Sequence, residues 1–389
     1  MEIRRNILLF KLYYLFSEIW PLSVLSIVFF QQITGSYAFA LGVFSIANIV
    51  QSIAEVPTGI LSDKIGRKKT MVVSSVLTLL TFAIFALAGT LGYKYLLILG
   101  GVFWAIADAF ASGTDDALMY ETMEELRKAD KYDILYARSK IFGQIGLGTG
   151  ALIAAFVTYF YSLTVLAWVS VAFGIIPIFI CLRFVEPKNH TREDATSFKY
   201  FVTAIKAFIQ NKKLRILATI QMLNRGIGFT AHRFESAYFN MLIPTWAVNI
   251  ARVIKQTCGA ISYAIAPYFR RFGFYRILVA STIGMTIIKA TAVAMNNFVT
   301  PFLQSCVNIL YGTASTAESA LLQQELSSKQ RATMGSIVSL LGGILSAVIY
   351  WGVGVVADNT SVLFAIIALI VCNVFISGGY YWMLKKYKK

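Results

Sequence analysis

The chain has 389 residues, of which 57% are hydrophobic and 14% charged, and it carries a formal net charge of +16. Its mean hydropathy is +0.67, whereas a soluble domain is about 45–50% apolar and about 25% charged, so an ordinary soluble protein is excluded. Two histidines, His190 and His232, exclude a multi-histidine metal centre. The four cysteines (Cys181, Cys258, Cys306 and Cys372) lack paired spacing and read as small buried hydrophobes, not as disulfides or a zinc site.

Twelve apolar segments follow along the chain, at about 12–33, 37–61, 70–88, 94–118, 141–160, 163–183, 214–240, 244–268, 275–294, 298–323, 333–355 and 361–383. Each is long enough for a spanning helix of about 20 residues. The first lacks the small-residue cleavage site of a signal peptide and is expected to be retained. With both termini in the cytoplasm, 29 of the 35 Lys and Arg residues fall on the cytoplasmic side. This positive-inside bias predicts the orientation, and it accounts for the basic charge without nucleic acid. The loops on the far side are too short for a catalytic domain.

One long polar break, 184–213, separates the sixth and seventh spans. Its second half places Phe198, Phe201, Val202, Ile205, Phe208 and Ile209 at helical spacing beside lysines, which predicts an amphipathic helix at the lipid surface. The expected domains are a six-helix bundle over 1–185, a cytoplasmic linker over 186–213 and a second six-helix bundle over 214–389. The halves echo each other. "ASGTDDALMYETM" (111–123) matches "ASTAESALLQQEL" (314–326) at four of thirteen positions, with Asp115 opposite Glu318. "SDKIGRKK" aligns through Gly66 with the stretch around Gly273, where Arg270 stands in the place of Asp63. Two stretches agreeing on nearly one offset argue for duplication, a recurrent transporter architecture.

Between spans 2 and 3 lies "EVPTGILSDKIGRKK" (55–69). Gly59 and Gly66 suit close helix approach and a sharp turn, Asp63 suits a helix N-terminus, and Arg67 suits a carboxylate. This stretch resembles the loop signature of the major facilitator superfamily, Gly-x-Leu-Ser/Ala-Asp-x-x-Gly-Arg-Lys, which Gly59, Leu61, Ser62, Asp63, Gly66, Arg67 and Lys68 match. Together with twelve spans and a central loop, the resemblance covers nearly the whole chain. It implies an all-α membrane fold of two pseudo-symmetric six-helix bundles and a secondary transporter of rocker-switch type. It further implies a conformational latch in which Asp63 and Arg67 meet Asp116 or Glu121 at the end of span 4 and the start of span 11 near Arg331. The "SGTDDALMYE" stretch (112–121) resembles a bacterial branch of that family, which places the protein in the inner membrane. Two features depart from the family's proton-coupled drug exporters. Asp108 sits near where span 4 would carry an arginine, and "GQIGLGTGAL" in span 5 lacks the antiporter proline.

Ionisable groups inside a span point to function, because each costs at least about 2.5–3.5 kcal/mol at the bilayer centre. Glu18 in span 1 and Asp108 in span 4, the latter roughly 21 Å into its helix, are the expected proton-coupling residues; a structural carboxylate is the plainer alternative for each. Spans 7, 8 and 10 differ in sign. Asn224, Arg225, His232, Asn249, Arg252, Lys255, Gln304 and Asn308 are the expected substrate-binding residues, and arginine pairs with carboxylates bidentately. Arg233 and Glu235 read as an edge ion pair. Lys289 either reaches the interface or faces the bundle. The expected cargo is a small anionic or carboxylate-bearing solute, a metabolite or a metal chelate such as a siderophore, with H+ as coupling ion, in a monomer that needs only substrate and membrane lipid and no cofactor or metal. A proton-coupled exporter of amphipathic or cationic compounds is the alternative. A membrane-embedded enzyme is disfavoured because the chain has no P-loop and no cluster of metal ligands.

Overall fold

The computed structural model describes residues 3–187, 212–324 and 328–387, and every element among them is helical. In chain order the α-helices are α1 (Asn6–Ser17), α2 (Ser26–Thr34), α3 (Tyr37–Ile65), α4 (Arg67–Leu91), α5 (Tyr95–Ala111), α6 (Thr114–Glu125), α7 (Tyr132–Phe160) and α8 (Leu163–Leu182). After the linker come α9 (Lys212–Leu242), α10 (Thr245–Phe269), α11 (Phe274–Met295), α12 (Thr300–Cys306), α13 (Tyr311–Gln324), α14 (Ser328–Asn359) and α15 (Val362–Tyr387). Each of the twelve apolar segments is helical. Nine stretches among the described residues are long and apolar enough to cross a membrane. The amphipathic helix expected at 198–209 lies outside the described residues.

Helices dominate because lipid offers no partner for backbone N–H and C=O groups, so each segment must satisfy its own. Three of the twelve segments are nevertheless broken. The first breaks at Pro21, which lacks a donor and opens a 3-10 turn over Pro21–Leu25. The fourth breaks at Gly113, whose φ of +73° favours glycine. The tenth breaks at a 3-10 turn over Val307–Ile309. Serines on neighbouring helices compensate for the freed amides. Ser170 Oγ accepts from Leu22 N at 3.2 Å, and Ser262 Oγ accepts from Gly312 N at 2.9 Å and Thr313 N at 3.3 Å.

The chain divides into two compact units. The first holds Met1–Gly35 and Ile46–Glu193. Its core includes Phe10, Tyr13, Met71, Leu118, Cys181 and Phe184. In it α7 lies against α1 through one glycine stripe: a Cβ at Gly146 would collide with the Leu15 carbonyl, and Gly143 and Gly150 face Glu18 and Trp20. The second unit holds Asp194–Lys389 together with Ser36–Ser45, the first turns of α3. Its fully buried side chains include Phe234, Tyr238 and Tyr380. Within it Asp358 accepts from Ser36 Oγ at 2.6 Å, Tyr37 N at 2.7 Å and Ala38 N at 2.9 Å, capping α3 from another helix. The expectation that all four cysteines are buried needs correction. Only Cys181 is buried, Cys258 is partly so, and Cys306 and Cys372 are exposed, as apolar residues such as Phe375 also are. Small apolar side chains are equally at home facing lipid.

Candidate functional site

Two constellations lie in the first unit and two in the second. At the α3–α4 junction Gly66 adopts φ +97°, a conformation an L side chain resists. Arg67 Nη1 reaches Asp63 Oδ1 at 2.8 Å and donates to Ser62 Oγ at 3.1 Å, and Nε reaches Glu121 Oε1 at 3.4 Å. Of the two carboxylates expected to meet Arg67, the geometry supplies Glu121; Asp116 faces Tyr14. Gly59 has open space beside it: a side chain there would meet nothing within 4 Å among the described residues. The side chain of Arg331 lies outside the described residues. Sequence reasoning missed Glu186, whose carboxylate accepts from Arg67 N at 2.6 Å and Lys68 N at 2.8 Å. It thereby occupies the positive end of α4. The one available signal was an acid just before Pro187 where span 6 ends.

Acids gather further along the same unit. Glu18 terminates α1, so it stands at the break of the first segment and not inside a continuous helix. Asp108 Oδ2 accepts from Gln51 Nε2 at 2.7 Å. Tyr14 donates to Asp115 Oδ2 at 2.5 Å and lies 3.5 Å from Asp116 Oδ1. The charges of Asp108 and Asp115 both act on Glu18. Across these helices the ammonium of Lys140 lies 4.4 Å from the centre of the Tyr14 ring and 5.0 Å from that of Tyr136.

In the second unit the expected stripe splits into two places. His232, Arg252 and Lys255 come together with Arg233, Glu235 and Lys289, at a level about 10–15 Å from the α9–α10 turn at about 1.5 Å per residue. Arg252 Nη1 meets His232 Nδ1 at 3.1 Å, and Nη2 meets Nε2. A guanidinium only donates and a neutral imidazole has one acceptor nitrogen, so one of the two contacts is a hydrogen bond and the other is close packing. Lys255 Nζ donates to both oxygens of Glu235, at 2.7 and 2.5 Å, with both side chains largely buried. The pair formed at Glu235 is thus with an expected cargo ligand. Arg233 donates to Tyr350 OH at 3.2 Å and lies 4.2 Å above the Phe44 ring. Lys289 is half-buried, and the Glu235 charge acts on it. Asn249, fully buried, spends its amide on Thr245 O at 3.4 Å, and its Oδ1 has no partner among the described residues. Among the described residues, Arg233, Arg252, Lys255 and Lys289 therefore share this level with the Glu235 carboxylate.

Asn224 and Arg225 lie seven to eight residues away from His232 on α9, in a different setting. Asn224 Nδ2 donates to Glu318 Oε1 at 3.4 Å, and Tyr380 OH donates to the same oxygen. Arg225 is exposed, and its charge acts on Glu318. Gln304 is buried and Asn308 sits in the break before α13, beside Gly259. No group of three or more His, Cys, Asp or Glu among the described residues could hold a metal ion.

The Major Facilitator Superfamily model matches residues 8–349. No curated protein matches the chain. Among solved structures, the nucleoside transporter NupG is similar at a TM-score of 0.80 and 16% identity, over 99% of this chain and 100% of that one. A D-xylose-proton symporter matches at 0.75 and 13% over 98% of each chain. A bacterial homolog of the human lysosomal transporter Spinster, inward-facing and unoccupied, matches at 0.73 and 11%, over 98% of this chain and 96% of that one. Likeness at such low identity speaks for the fold, and the family match carries the assignment: the chain belongs to the Major Facilitator Superfamily and is a multi-pass membrane transporter, not an enzyme.

Proposed function

We propose that this transporter moves a small organic anion, a carboxylate-bearing metabolite or metal chelate, across a bacterial inner membrane by proton-coupled alternating access, as a monomer with both termini in the cytoplasm. The observation that carries the reading is the level of α9–α11 where, among the described residues, Lys255 pairs with Glu235 and the same carboxylate's charge also acts on Arg252 and Lys289. An excess of cations inside a span is costly, and an anionic solute supplies counter-charge. Arg252, held by a neutral acceptor, is the group best able to grip a carboxylate in two places. The orphaned Asn249 Oδ1 offers a hydrogen bond to a hydroxyl or amide of the same solute. Glu18 and Asp108 are the proposed proton carriers, supported by their position at a helix break and beside Gln51.

The test is ligand-induced stabilisation of the purified chain. A ligand that binds the folded state at a hundred times its Kd adds about 2.7 kcal/mol. Carboxylates are expected to raise the melting temperature where matched organic cations do not, and Arg252→Ala is expected to abolish the rise. Stabilisation by cations alone would replace this reading with the cation exporter.

A further inference from the structure

The acidic side of the first unit holds a second, differently built place. Tyr14 on α1 and Tyr136 on α7 present their rings to one point, and the Lys140 ammonium lies at that point, 4.4 and 5.0 Å from the two ring centres. Tyr14 donates its hydroxyl proton to Asp115 at 2.5 Å, which enriches the ring in electrons and strengthens its hold on a cation. Asp116 lies 3.5 Å from the same hydroxyl, and the Lys140 charge acts on both Glu18 and Asp116. The aromatic surface continues through Tyr132, 5.9 Å from Tyr136, and Tyr120, 5.6 Å from Tyr132. Two rings, one of them with carboxylates at its hydroxyl, are the chemistry that recognises alkylammonium groups. Here that chemistry is occupied by the protein's own lysine, on an exposed and flexible stem.

We propose that the niche between α1, α6 and α7 is an organic-cation site whose resident is the Lys140 ammonium, and that Lys140 determines specificity by excluding solute cations from it. A lysine that merely braced two tyrosines would leave no vacancy of defined chemistry when shortened. A resident cation leaves one of its own charge and size. The inference uses no residue of the basic level in the second unit, so it stands or falls independently of the anionic cargo.

The experiment measures binding of benzyltrimethylammonium to the purified full-length chain by calorimetry. Lys140→Ala and Lys140→Gln are expected to bind this probe at least tenfold more tightly than the unaltered protein. Adding Tyr136→Ala to either is expected to remove the gain. Equal binding by the unaltered protein and both variants overturns the proposal, as does a gain that survives Tyr136→Ala. Failure of both single variants to fold also overturns it, because Lys140 would then be a structural brace and not an exchangeable occupant.

Discussion

Lys255 and Glu235 show how little a residue's type says about its employment. Both are ionisable, both lie within helices that face lipid elsewhere, and Lys255 reads from the sequence as a cargo ligand. In the folded chain each is the other's counter-ion, 2.5 Å apart at the closest. Which charge meets which depends on the rotation of α9 against α10, and a lone helical stripe does not encode that. Breaking a buried pair by removing one partner costs about 3–5 kcal/mol, whereas replacing both with apolar groups is often neutral. Lys255→Met is therefore expected to lower the melting temperature sharply, and Lys255→Met with Glu235→Leu to recover most of the loss. Thermal unfolding in detergent checks this; an additive double variant would mean that the pair is not coupled. Glu186 teaches the same lesson in reverse. Its polar neighbourhood suggested an ordinary linker residue, yet it holds two backbone amides of α4.

At the scale of elements, the long apolar runs were fully legible because lipid leaves a segment little choice but helix. The breaks were not. Pro21 and Gly113 sit inside runs that read as continuous, and Glu18, expected within a helix, ends one. At two of the breaks a hydroxyl on another helix takes up a freed amide, a tertiary fact with no local signature. Ser262 is the clearest case, accepting from two amides where the tenth segment reopens as α13. Leaving a buried donor unsatisfied costs about 1–3 kcal/mol. Ser262→Ala is thus expected to destabilise the chain by about that amount, and Ser262→Thr to retain most of its stability if the methyl is accommodated. Amide exchange at Gly312 and Thr313, faster in Ser262→Ala alone, is the measurement that separates this cause from general loosening.

At the scale of the whole molecule, the duplication legible in two short echoes carries an asymmetry of charge. The first unit concentrates carboxylates around Glu18, Asp108 and Asp115. The second concentrates cations on α9–α11. The loop signature at Gly59–Lys68 identified the family from sequence alone, and its Arg67 does meet Asp63 and Glu121. It could not identify the cargo, because a charged turn at the α3–α4 junction is indifferent to what is carried. If the first unit handles the proton, Asp108→Asn is expected to leave binding of an anion unchanged while abolishing its accumulation against a gradient. Loss of both binding and accumulation would instead place Asp108 in the cargo site.

The most direct test is uptake into proteoliposomes under an imposed pH gradient, using labelled carboxylates alongside labelled organic cations of similar size. The account predicts that at least one carboxylate accumulates, that dissipating the gradient stops it, and that Arg252→Ala lowers its uptake at least tenfold. Accumulation of cations alone, or carboxylate uptake unchanged by Arg252→Ala, would contradict it.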